Sequence, residues 1–323
     1  MRTAPDRLLP VQPAHQLPVR PEAQRWLVMG LWLQEAVGVL GGEPKCCKSF
    51  LALDLAVAVA SGTSCLRHFS VPTAGRVLLY AAEDALHIVR SRLEGICAAA
   101  RVSLQELDVQ VITAPTVRLD LPADRARLEH TVEQLKPRLL VLDPFVRLHR
   151  IDENASGEVA PLLAYLRELQ RRHHLAVLLV HHAKKGGGHI RAGQALRGSS
   201  EFHAWGDSNL YLRRSQTELT LTVEHRAAPS LPPIDLELAQ RGESLALEVR
   251  AAADPVCAAP PSSSVDERIL SALSQSDAPV PATELRALCS IRKATFYARL
   301  LDLTRAGRLV RSPEGYRLAN TMA

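Results

Sequence analysis

The stretch "VGVLGGEPKCCKSFLALDLAVAVASG", Val37 to Gly62, constrains this chain more than any other. A short apolar strand runs into a tight turn and then into an apolar-periodic helix. The turn comes within one residue of the phosphate-binding pattern G-x-x-x-x-G-K-[ST]. Gly42, Lys48 and Ser49 are in register, and Cys47 stands where the second glycine belongs. In such a loop, backbone N–H groups and a helix N-terminus point at phosphates, a lysine supplies a point charge, and a hydroxyl ligates magnesium. The candidate nucleotide loop is therefore Gly42, Glu43, Pro44, Lys45, Cys46, Cys47, Lys48, Ser49 and Phe50. A chance match in a tight strand–helix turn would read the same way. Cysteine is tolerated at position 47 unless the backbone there takes a positive φ or touches phosphate directly, and the sequence leaves that open.

Around this stretch, continuous apolar strands alternate with helical patterns. Strands are expected at Ala36–Leu40, Arg76–Ala81, Val109–Thr113, Leu139–Leu142 and Leu175–Val180. Helices are expected near Lys48–Ser61, Ala85–Ala100, Ala123–Leu135 and Glu158–His173. That alternation predicts an α/β fold, with a doubly wound, mainly parallel sheet covered on both faces. Three later runs, "NLYLRR", "ELTLTVEH" and "IDLELA", alternate with period two and predict an antiparallel ribbon on the sheet's edge.

Other strand ends carry chemistry that suits phosphate. "LLVLDP" closes a buried strand on Asp143, placed to hold magnesium with Ser49. Glu83 follows another apolar strand, where a carboxylate can orient and polarise an attacking water. His181 and His182 end a third strand. Carboxyl ends of parallel strands are where such sheets place ligands. Taken singly, each acid reads equally as a strand-end or helix-cap residue, and each histidine as a core one.

The stretches "GGEPKCCKSFLALDLA", "LLYAAEDALHIVRSRLEGI", "LLVLDPFVRLHRIDENASGEVAPLL", "LLVHHAKKG" and "ALRGSS" occur in the order and rough spacing of the RecA-like ATPases related to RepA. This resemblance spans residues 26–250 and implies a RecA-like P-loop core, ring-shaped homo-oligomers and hydrolysis of ATP with Mg2+ at subunit interfaces. It gives Lys48 and Ser49 the phosphate and the metal, Asp143 the metal side, and Glu83 the role of catalytic carboxylate. His182 becomes the sensor of the γ-phosphate. A ring of this kind also needs a cation from the neighbouring subunit. Arg226, between two ribbon strands, and Arg197, in "RGSS", are the candidates.

The segment after His182 gathers Lys184, Lys185, His189, Arg191 and Arg197 around three consecutive glycines. In RecA-like rings such loops face single-stranded nucleic acid, so Lys184, Lys185 and Arg191 are candidate DNA contacts; a solvated basic loop is the plainer reading. Residues 251–264, rich in Ala, Pro and Ser, read as a linker, and residues 1–25 as a loose arm without periodicity. Residues 265–323 resemble a winged helix-turn-helix. Its third helix and wing carry seven Lys or Arg against Asp302 and Glu314. Duplex DNA is the expected partner, through Arg292, Lys293, Thr295, Tyr297, Arg299 and Arg317, although winged helices also bind proteins.

The bulk properties agree. The chain has 323 residues, 47% of them hydrophobic, and a net charge of +5. Its six cysteines form no C-x-x-C pair, so neither a disulfide framework nor a zinc knuckle is suggested. No apolar run is long enough to span a bilayer, which predicts a cytoplasmic protein with no membrane partner. Together these readings predict a DNA-associated motor in the replication or mobility of a plasmid or integrated element. The alternatives are a DNA-binding regulator switched by ATP, or a loader or adaptor that unwinds nothing.

Overall fold

The computed structural model describes residues 11–19, 21–182, 201–215, 218–241, 244–250, 265–274, 276, 279–289, 293–312 and 315–319. The chain divides into two compact units, Met1–Arg250 and Ala251–Ala323.

In the first unit, β1 (Trp26–Val28) and β2 (Trp32–Leu33) form a small antiparallel hairpin. Strands and helices then alternate: β3 (Val37–Gly42), α1 (Lys48–Ser61), β4 (Val77–Ala81), α2 (Leu86–Ala100), β5 (Val109–Val111), α3 (Pro122–Leu135), β6 (Leu139–Asp143), α4 (Ser156–His173) and β7 (Ala176–His182). A short helix, α5 (Glu201–Trp205), leads into β8 (Ser208–Ser215), β9 (Glu218–His225), β10 (Ile234–Arg241) and β11 (Ser244–Val249). One nine-stranded sheet results, in the order β11-β10-β9-β8-β3-β7-β6-β4-β5.

The strands β3, β7, β6, β4 and β5 pair in parallel, as the expected doubly wound sheet requires. Their apolar residues alternate between the faces. Leu139 and Val141 of β6 join the core under α1 and α2, while Leu140 and Leu142 join the core under α3 and α4. Burial on both faces is why β4, β6 and β7 read as unbroken apolar runs, whereas the edge strand β5 is only partly buried.

The ribbon departs from expectation in two ways. Its first strand, β8, runs parallel to β3, with Leu212 opposite Gly42, and only then do β9 to β11 continue antiparallel. Gly38 permits this close seating, because a Cβ there would collide with the Ser208 carbonyl. The ribbon also has a fourth strand, β11, in "SLALEV". Ala246 and Leu247 are consecutive and both buried, which blurs the period-two signal. The β1–β2 hairpin was likewise too short to show a period.

The second unit contains α6 (Val265–Ser274), α7 (Ala282–Cys289), α8 (Lys293–Arg305) and a hairpin of β12 (Leu309–Ser312) with β13 (Gly315–Leu318). Its own core includes Ile269, Leu273, Leu285, Phe296, Leu300 and Leu303. Within the N-terminal arm, two short 3-10 turns stand at Ala14–Gln16 and Glu22–Arg25. The expected linker lies outside the described residues.

Candidate nucleotide site

Four neighbouring strands, β3, β7, β6 and β4, end on the same edge of the sheet. Gly42 pairs with His182 and Ala81 with Asp143, so their last residues lie side by side. At this edge opens a cavity of about 370 Å³ lined by Pro44, Lys45, Cys47, Lys48, Ser49, Phe50, Glu83, Asp84, Arg92, Asp143, Pro144 and His182. Residues drawn from four separated stretches of sequence therefore meet in one place.

The loop is shaped by backbone conformation. Cys47 sits at φ 66°, ψ 23°, the left-handed region, directly before α1. This is the condition under which glycine is favoured, and a cysteine there costs about 1 kcal/mol. Lys45 is also left-handed, at φ 64°. Gly42 is confined by its neighbours: a Cβ would stand 2.5 Å from the Leu212 carbonyl oxygen and 2.6 Å from Cys46 Sγ. Cys46 itself is buried beneath the loop, and burial raises its thiol pKa. Lys48 is also buried, and its Nζ donates to the carbonyls of Gly42 at 3.0 Å and Glu43 at 2.8 Å. Glu43 thus serves the loop through its backbone.

Asp143 is buried at the end of β6 and accepts a hydrogen bond from the Ser49 hydroxyl. Burial pushes its carboxyl up to about 6; Asp84 and Glu83 add to the rise, while Ser49 and Lys48 oppose it. A desolvated carboxylate beside a hydroxyl and two further acids gains most from a cation, and this all-oxygen set suits Mg2+. Ser49 and Asp143 would hold the ion. Glu83 accepts from Arg147 Nε at 2.8 Å. His182 lines the cavity, whereas His181 is buried and stacked on Phe202 at 4.3 Å.

Sequence reading missed four polar residues here. Asp84 and Arg92 line the cavity and pair with each other, and Arg92 also lies 5.2 Å over the Phe50 ring. Arg147 holds Glu83. Arg214, at the far end of β8, donates to Cys47 Sγ at 3.2 Å. Arg92 carried a usable signal, an arginine two turns into the helix that follows Glu83. The contact made by Arg214 depends on the unexpected parallel seating of β8.

Arg226 is not brought to this cavity within the chain. It bonds to the Ala204 carbonyl and lies 3.4 Å from Asp207, whose carboxylate accepts from Val37 N at the opposite end of β3. His225 beside it is half-buried, with its pKa lowered by desolvation, and donates to the Gly30 carbonyl at 3.0 Å. Lys184, Lys185, Arg191, Arg197 and Arg292 lie outside the described residues. Lys293 and Thr295 fall in the first turn of α8. Tyr297 and Arg317 are exposed. Arg299 is held by Asp266 through two 2.8 Å bonds and lies 3.5 Å from Asp302. Among the described residues, no cluster of His, Cys, Asp and Glu has a metal-binding arrangement of its own, and no helix is long and apolar enough to cross a membrane.

A solved structure titled "Crystal structure of the RadB recombinase" is similar at 17% identity, over 68% of this chain and 92% of that chain, with a TM-score of 0.49. A family model described as "AAA domain" matches residues 3–188, which include the loop, both acids and the strand ending on His182. Since that match spans more than half of the sequence, the chain belongs to the AAA domain family.

Proposed function

We propose that this chain hydrolyses ATP and uses the energy as a DNA-associated motor resembling the RepA-type helicases. The observation that carries the reading is the convergence of Lys48, Ser49, Glu83, Asp143 and His182 on one cavity at adjacent strand ends. Lys48, withdrawn onto the loop carbonyls, exchanges those bonds for β- and γ-phosphate oxygens. Glu83 orients the attacking water, and His182 reads the γ-phosphate at the start of the basic segment that follows. When bound by Ser49 and Asp143, Mg2+ supplies charge to the phosphates.

The DNA-binding part of the proposal rests on two features. Lys184, Lys185 and Arg191 follow His182 in sequence, so a change there is passed along the chain to cations suited to single-stranded DNA. Three helices followed by a hairpin in the second unit support the winged-helix reading, and Arg317 is exposed on that hairpin, which suits duplex DNA. A ring would bring Arg226 or Arg197 of one subunit to the nucleotide of another. The deciding measurement is ATP turnover with and without single-stranded DNA, beside unwinding of a forked duplex, for the wild type and Lys48→Ala. Turnover without unwinding would favour the second reading, a loader, adaptor or ATP-switched regulator. One observation already supports that reading: Leu288 on α7 and Tyr297 and Leu301 on α8 expose apolar surface suited to a protein partner.

A further inference from the structure

We propose that Arg214 is a second phosphate-binding cation, acting in cis on the α-phosphate of the nucleotide. The inference rests on the ATP-binding reading and adds to it a residue from outside the loop and the acidic strands. Three observations carry it.

The first is position. β8 lies beside β3 with Leu212 opposite Gly42, so Arg214 stands two residues beyond the loop's first glycine on the adjacent strand. The second is contact. Arg214 Nη2 donates to Cys47 Sγ at 3.2 Å, and Cys47 lines the cavity. The third is direction. Asp143 on β6 and Glu83 after β4 lie on one side of β3, with β7 between, while β8 lies on the other side. A triphosphate whose reacting end faces those acids therefore runs its α-phosphate toward β8.

Lys48 in the loop and Arg214 on β8 differ in their commitments. Lys48 is buried and held by two carbonyls. Arg214 is exposed, and its partner at the loop is a thiol sulfur, a weak acceptor. Exchanging that sulfur for a phosphate oxygen replaces a weak bond with a charge-assisted one, and the guanidinium fork fits phosphate in a bidentate manner. Because the α-phosphate does not react, the contact is equally strong in the ground and transition states. It sets affinity and leaves the chemical step alone.

The test uses the full chain, with equilibrium titration of fluorescent ADP and ATP and steady-state kinetics. Arg214→Ala is expected to weaken both nucleotides and raise KM by about ten-fold, with kcat within about two-fold of wild type. Arg214→Lys should fall between them. The binding constant of inorganic triphosphate, obtained by competition and corrected for the weaker ADP, should also rise by about ten-fold in Arg214→Ala. The same ten-fold loss should appear in a Cys47→Gly background, because the cation acts on the ligand and not on the thiol. A loss that vanishes in that background would make Arg214 a mere prop for Cys47 and overturn the proposal. A corrected triphosphate constant unchanged by Arg214→Ala, pointing to a base or ribose contact, would overturn it as well. Wild-type binding with an unaffected Arg214→Ala removes this inference alone; wild-type protein that binds neither nucleotide removes the ATP reading with it.

Discussion

Glu83 accepts a 2.8 Å hydrogen bond from Arg147, a residue 64 positions further along the chain. The bond ties the cavity-facing carboxylate after β4 to the turn that follows β6. Both partners are well exposed, 41% for Glu83 and 61% for Arg147, so the pair contributes at most about 1 kcal/mol. Its effect is on where Glu83 points more than on whether the fold holds.

Two substitutions separate those roles. Glu83→Gln should keep ATP affinity while slowing turnover at least about 100-fold, because the amide cannot polarise water. Arg147→Ala should change kcat by less than about five-fold, since an exposed tether is a weak one. Single-turnover hydrolysis beside equilibrium binding reads both; joint loss of binding and turnover in Glu83→Gln would make the carboxylate structural.

Lys48→Ala should abolish turnover and also lower stability modestly. The ammonium donates to Gly42 and Glu43, so its loss strands two loop carbonyls at a cost of about 1–2 kcal/mol. For a unit of this size that corresponds to a Tm lower by about 2–8 °C. A thermal melt with no shift would show that water readily replaces the lysine on those carbonyls.

Cys47→Gly should raise Tm, because it removes a Cβ from a left-handed position at φ 66°. The expected gain is about 1 kcal/mol, with ATP affinity held or improved. Cys47→Ala, which keeps the Cβ, should gain nothing. Lower ATP affinity in the glycine variant would mean that the thiol itself takes part in the site.

His225 gives the first unit a pH-dependent element of stability. Its folded-state pKa lies below the ordinary value of 6.5, chiefly through burial, with the bond to Gly30 opposing. Below about pH 6.5 the unfolded chain takes up a proton that the folded chain resists. Stability is therefore full above that pH and declines as pH falls toward the lowered folded pKa. Urea unfolding at pH 7.5 and 5.5 should show the decline in wild type and a smaller one in His225→Gln. Trp26 emission should report it, as its ring lies 5.1 Å from the imidazole.

The second unit makes its own prediction. A chain ending at Arg250 should keep ATP turnover and lose most duplex affinity, since each unit has its own core. Arg317→Ala should weaken duplex binding and reduce the salt slope by about one phosphate contact. Arg299→Ala should lower the Tm of the second unit more than it lowers DNA affinity, because Arg299 is engaged by Asp266. Gel shifts at two salt concentrations compare the three for DNA, and a thermal melt of the Arg299→Ala protein reads its stability. Unchanged duplex binding after truncation would assign this unit to a protein partner.

The sequence by itself determined the elements. α1 spans Lys48–Ser61, where the helix is expected, and each parallel strand lies within two residues of its apolar run. The residues that gather at the cavity were mostly legible too, because strand ends of one polarity come together wherever a parallel sheet forms. Local pattern suffices for this, since the length and spacing of apolar runs mark buried strands and helices whatever the rest of the chain does. Tertiary structure alone decided who touches whom. The parallel seating of β8, the Arg147–Glu83 bond and the capture of Arg226 by Asp207 all join residues set by sheet order and register. Arg214 reaches Cys47 across 167 positions of sequence. A charged side chain carries no periodic mark of its partner; only the packed backbone brings the two within reach.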